Sequence, residues 1–167
     1  MTTPFYSDQT KAGGGIQPRA GLGLCSISGS YTMLAAFLDE DIVHLVKIPA
    51  GATILELILD VPALTDQADV TWDLGDGTTS GRFISGGTAG RSSAGAIVRT
   101  TVVGSSQYKY TAENTIQFKI KTVPGATAVT DGVIKLTAIY TMDPWPATNQ
   151  PDGEGGLIPL PTKTRDP

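Results

Sequence analysis

Residues 41–77, DIVHLVKIPAGATILELILDVPALTDQADVTWDLGDG, place two runs of strand-forming residues on either side of a turn and close on the most motif-like string in the chain. Within Ala52 to Val61 the odd positions Leu55, Leu57, Leu59 and Val61 are apolar, and Glu56 and Asp60 share the other row with Ile54 and Ile58. A period of two is what a strand covering a core produces, so Leu55, Leu57, Leu59 and Val61 are expected to be buried. The run before it, Ile42 to Ile48, is joined to it through Pro49, Ala50 and Gly51. Pro49 presets φ for a turn and Gly51 takes a positive φ without a Cβ clash. The two runs read as a β-hairpin.

The same alternation recurs downstream. Val70, Trp72 and Leu74 alternate with Thr71 and Asp73, and a turn is expected at Gly75, Asp76 and Gly77. Strands are expected near residues 82–85, 96–103 and 108–111, with residues 86–95, GGTAGRSSAG, as a surface loop of turn formers. In residues 115–123, Ile116, Phe118 and Ile120 alternate with Gln117, Lys119 and Lys121, the pattern of a sheet with one wet face. Residues 133–142 repeat it with Ile134, Leu136, Ala138, Tyr140 and Met142, and form the last expected core strand. Upstream, residues 22–38 carry one or two strands broken near Gly29, ahead of an exposed loop at Asp39, Glu40 and Asp41.

No stretch sustains a helical apolar stripe, and the 20 glycines, 11 prolines and only 17% charged residues favour short strands joined by turns. The expected fold is all-β: an antiparallel β-sandwich of eight or nine strands, jelly-roll-like. One domain at 22–142 is expected, between an extended N-terminal arm at 1–21 and a Pro-rich C-terminal arm at 143–167. The first arm holds the run Gly13, Gly14, Gly15 and has no periodicity that would bury a face. The second holds more than half of the eleven prolines, which cannot donate ladder bonds. Both arms nevertheless carry apolar groups that a purely solvated tail does not need: Phe5 and Tyr6 in one, and Trp145, Leu157, Ile158 and Leu160 in the other. These six are the expected partner-binding residues, ordering on a surface as they dock.

The chemistry of the chain is sparse. Its 12 basic and 16 acidic residues give a formal charge of −4, with no basic cluster or aromatic row to follow phosphates, so no direct nucleic-acid contact is expected. No apolar run approaches the ~20 residues of a membrane helix and no signal-peptide pattern opens the chain, so neither membrane contact nor export is expected. Cys25 is alone, which excludes an intramolecular disulfide or thiolate cage and leaves a buried, inert strand thiol as the expectation. The single histidine, His44, lies within a strand run and reads as a hydrogen-bonded packing residue, leaving no base for nucleophilic catalysis. Glu56 and Asp60 stand about 13 Å apart along one strand, too far for a glycosidase pair. Asp73 and Asp76, with Asp39, Glu40 and Asp41, lack the alternating ligand spacing of a calcium loop and read as turn and solvated carboxylates. No enzyme, no metal and no cofactor is expected.

Two resemblances attach to these residues. Residues 71–79, TWDLGDGTT, resemble the WDFGDGT signature of immunoglobulin-like modules of the polycystic-kidney-disease type, departing from it at Leu74. An adhesion or carbohydrate-binding module is what that likeness implies, although an Asp-Gly turn, whose two residues both tolerate positive φ, accounts for the string without it. Across residues 42–142 the order of features resembles the cement or decoration proteins of tailed-bacteriophage heads. The features are the turn Pro49, Ala50, Gly51 between its two strands, the Leu74 to Gly77 turn leading into Arg82 and Phe83, and the closing run DGVIKLTAIY that ends at Tyr140. The resemblance implies a jelly-roll domain on the outer surface of a capsid, a homotrimer that binds the major capsid protein and reinforces joints between its subunits, assembled in a host cytoplasm. A phage tail or baseplate component shares these features and stands as the alternative.

Overall fold

The computed structural model describes residues 4–7, 24–35, 37–64, 70–91, 94–101, 107–122 and 132–142. Nine strands are found among them: β1 (Pro4–Tyr6), β2 (Leu24–Thr32), β3 (Ile42–Ile48), β4 (Ala52–Val61), β5 (Thr71–Asp76), β6 (Ile84–Gly87), β7 (Ala96–Thr101), β8 (Asn114–Thr122) and β9 (Val133–Met142). They form two sheets, ordered β1-β3-β8-β5-β6 and β2-β9-β4-β7. Every pairing is antiparallel except β1 on β3, which is parallel. Counted from β2, the sheets contain the first, eighth, third and sixth strands and the second, seventh, fourth and fifth. That is the double Greek key of a jelly roll, and the all-β sandwich read from the sequence is the fold of this chain.

This winding overturns the expected hairpin. β3 and β4 follow one another through a turn in which Gly51 has φ +84°, yet β3 belongs to the first sheet and β4 to the second. The turn carries the chain across the sandwich, and the long-range partners β8 and β9 supply the ladders. Only the link between β5 and β6 joins neighbours of one sheet.

The core lies between the sheets. Trp72, Phe118, Leu45, Ile48, Leu57, Leu59, Leu74, Ile116, Ile120, Ile134 and Leu136 are fully buried there. The Trp72 and Phe118 rings meet at 5.1 Å between centroids, and the Trp72 Nε1–H donates to the Ala89 carbonyl at 2.8 Å, so the indole is buried without an orphaned donor. Alternation predicts the buried row of β8 and of β9 correctly as far as Tyr140; Met142, at the end of β9, is only half-buried. It fails in β4, where the pairing with β9 slips between Ile54 and Glu56. A bulge at Leu55 reverses the phase of the pleat, so Ala52 and Ile54 are buried ahead of it and Leu55 is only half-buried.

Gly29 is a third correction. It does not break a strand; β2 runs through it. A Cβ there would lie 2.1 Å from the Leu45 carbonyl oxygen, so the glycine lets an edge strand of one sheet press against the backbone of the other.

Candidate partner-docking surface

Two constellations of side chains stand out from the packed core. The first is built on β3. Its pairing with β8 slips between His44 and Val46, which leaves Leu45 as the extra residue of a bulge with its carbonyl turned out of the ladder. β1 lies along the same edge, with Pro4, Phe5 and Tyr6 opposite Ile42, Val43 and His44. Just past it, the Ser7 amide donates to the His44 carbonyl at 2.8 Å and the Ser7 hydroxyl donates to the Leu45 carbonyl. Phe5 packs on Tyr31 and Phe37 at 5.5 and 5.7 Å between ring centroids, while Tyr6 stacks on His44 at 4.8 Å. The Nδ1 of His44 lies 3.2 Å from Gln117 Nε2, and burial pushes the imidazole below its ordinary pKa. It is a packing histidine with a hydrogen-bond partner.

Of the six residues read as partner anchors, the structure thus places two: Phe5 is turned onto the core of the chain, and Tyr6 is 44% exposed on the outside of the same edge. Trp145, Leu157, Ile158 and Leu160 lie outside the described residues, as do residues 8–21 of the first arm and all of 143–167. Two further apolar groups emerge that the sequence did not single out. Leu34 and Leu38 are 85% and 68% exposed in the loop between β2 and β3, the loop that also supplies Phe37 to the Phe5 pocket. Within the run SYTMLAAFL they carry the same signal as buried Met33 and Phe37, so only the path of the loop separates the two pairs. Leu24 and Ile97 are exposed on β2 and β7, the two edges of the second sheet.

The second constellation occupies the motif-like string. Asp76 ends β5 buried, and its carboxylate accepts from the amides of Thr78 and Thr79 at 2.9 and 2.8 Å, from Arg82 Nε at 2.5 Å and from the Tyr110 hydroxyl at 3.0 Å. Burial by itself would raise the Asp76 carboxyl, but these four donors outweigh it and hold the group below the ordinary carboxylate range. Burial and the neighbouring Asp76 charge push the Tyr110 phenol up in turn. Arg82 also lies over the Tyr108 ring, 3.8 Å from its centroid. Gly75 is required by closeness, since a Cβ would meet the carbonyl oxygens of Thr79 and Ser80 at 2.1 Å.

The expectation of an Asp-Gly turn using positive φ is therefore corrected. Neither Asp76 nor Gly77 has a positive φ, and the Asp76 side chain shapes the turn instead. Asp73 is similarly engaged, by the Gly86 amide at 2.9 Å and Lys121 at 3.5 Å. Among the described residues no group of three acidic, histidine or cysteine side chains is placed to hold a metal ion. Both oxygens of the Asp76 carboxylate are engaged by the Thr78, Thr79, Arg82 and Tyr110 donors, which hold the turn in place.

No protein-family model matches the chain, and none of the curated proteins does. Solved structures do. A chain from the capsid of Ralstonia phage GP4 superposes with a TM-score of 0.63 over 84% of this chain and 99% of that one, at 24% identity. A chain from the capsid asymmetric unit of cyanophage Pam1 does so with a TM-score of 0.60 over 78% and 90%, at 17% identity. This chain shares their fold. The strand order also departs from the ABED and CFG sheets of immunoglobulin-like modules, so the likeness at residues 71–79 is confined to the turn.

Proposed function

We propose that this protein is a structural component of a phage virion, a cement protein that sits on the outer capsid surface, binds the major capsid protein and reinforces the joints between its subunits. The observation that carries this reading is the likeness to the GP4 capsid chain, which extends over 99% of that chain and 84% of this one. The fully bonded Asp76 carboxylate fits a reinforcing role, because it ties the end of β5 to Arg82 and Tyr110 and so holds one end of the sandwich. The arms at 1–21 and 143–167 supply the grip, through Tyr6 on the first and through Trp145, Leu157, Ile158 and Leu160 on the second. In a trimer at a three-fold position, each arm after the first docks intramolecularly, which multiplies weak contacts into a firm hold.

A density gradient of the source lysate, probed for this chain, tests the reading. Cement predicts stoichiometric presence in genome-filled heads at a copy number commensurate with the capsid lattice. A copy number of a few per particle, confined to tails, would move the protein to the tail or baseplate. Absence from particles would refute a virion role.

A further inference from the structure

We propose that β1 is an exchanged strand: residues 4–7 of one copy of this chain occupy the β3 edge of a second copy, and thereby join copies into a closed oligomer. The groove they fill is well defined. It comprises the open edge of β3 at Ile42 to His44, the out-turned carbonyl of the Leu45 bulge, and the aromatic pocket of Tyr31 and Phe37. Without an occupant, that edge leaves backbone groups unpaired and two aromatic rings uncovered, a template for a strand from another chain. The segment that fits is this chain's own, by ladder register, by the Phe5 ring and by the Ser7 hydroxyl. The contacts are the same whichever copy supplies it, so exchange costs no new interface.

The length of the connection favours the second copy. The Ser7 hydroxyl and Gly29 meet at one atom, the Leu45 carbonyl oxygen. Leu24 precedes Gly29 by five residues along β2, about 17 Å at the rise of a strand. A link from Ser7 to Leu24 within one chain therefore has roughly 20 Å to cover, which about seven residues would span. Sixteen residues, 8–23, are present, with a reach of roughly 55 Å. That surplus is long enough to carry β1 across to a neighbouring copy. Loop-closure entropy rises only slowly with such length.

The test uses the purified full-length chain with Cys25→Ser as background. Tyr6 and His44 are directly opposed, and neighbouring strands lie about 4.8 Å apart, within disulfide range. One tagged copy carrying Tyr6→Cys and one untagged copy carrying His44→Cys are co-expressed and oxidised. Exchange predicts a covalent heterodimer on a non-reducing gel. No heterodimer, together with closure inside single chains when one copy carries both cysteines, overturns it. Should the cysteines fail to close in either format, Phe5→Asp decides by light scattering. Exchange predicts that ejecting β1 lowers the solution mass from oligomer to monomer, and an unchanged mass, or a parent that is monomeric at every concentration, overturns it. Both readouts need no capsid, so their failure leaves the virion reading standing, and absence from particles leaves the exchange standing.

Discussion

The Tyr110 hydroxyl donates to Asp76 Oδ2 across 3.0 Å, and in doing so ties one sheet of the sandwich to the other. Asp76 closes β5 in the first sheet. Tyr110 comes from a short segment that pairs with the start of β4 in the second, through Tyr110 N to the Ala52 carbonyl at 2.8 Å and Gly51 N to the Tyr110 carbonyl at 2.6 Å. That segment continues the edge where β7 stops, beyond the Leu55 bulge. The bulge, the segment and the carboxylate are therefore one arrangement.

Asp76→Ala is expected to cost about 3 kcal/mol in urea unfolding, because it strands the buried Tyr110 hydroxyl and the half-buried Arg82 guanidinium. Tyr110→Phe, which leaves the other three donors in place, is expected to cost about 1–2 kcal/mol.

The same carboxylate sets an acid limit. Its folded pKa lies below the unfolded value near 4, so the stability it contributes is complete above pH ~4 and is lost as pH falls through the folded value. Urea midpoints measured between pH 7 and pH 2 should fall steeply at the acid end for the parent chain, and Asp76→Asn should flatten that part of the profile.

His44 acts at milder pH. Burial lowers its folded pKa below the unfolded value near 6.5, so its contribution is complete above that value and declines as pH drops through the folded one. The melting temperature of the parent should therefore fall between pH 7.5 and pH 5.5 by more than that of His44→Gln.

Gly29→Ala adds a methyl where the Leu45 carbonyl oxygen stands at 2.1 Å, and a backbone atom cannot swing away as a side chain would. A loss of about 2–3 kcal/mol is expected. Gly86→Ala meets nothing within 4 Å, but Gly86 has φ +70°, so a smaller loss of about 1 kcal/mol is expected there. Thermal melts of the two variants side by side separate closeness from conformation.

Removal of residues 143–167 is expected to leave the melting temperature of the core within a few degrees of the parent while abolishing co-sedimentation with capsids. Retention on capsids by the truncated chain would remove the C-terminal arm from the docking proposal.

Much of the sandwich was legible because half-buried strands write their burial in a period of two. Ile116, Phe118 and Ile120 in β8, and Ile134, Leu136, Ala138 and Tyr140 in β9, are buried as the alternation predicts. Leu55 was misread because a bulge inserts a residue without any mark in composition, and everything before it changes face. The Asp76 turn was seen as a turn but for the wrong reason, since Arg82 and Tyr110 reach it from six and thirty-four residues away. Of the proposed docking surface, Phe5 and Tyr6 could be picked out as apolar groups in a polar segment. Their parallel place on β3, and the exposure of Leu34 and Leu38, had no local signal.

By itself, then, the sequence determined the class of fold and the faces of the regular strands, because those follow from side-chain alternation and turn chemistry between near neighbours. Tertiary structure alone decided which strands pair, that β3 and β4 part into different sheets, and that Gly29 and Ser7 converge on the Leu45 carbonyl. Those outcomes depend on contacts between residues far apart in the chain, and the energy of such a contact is set by where both partners come to lie.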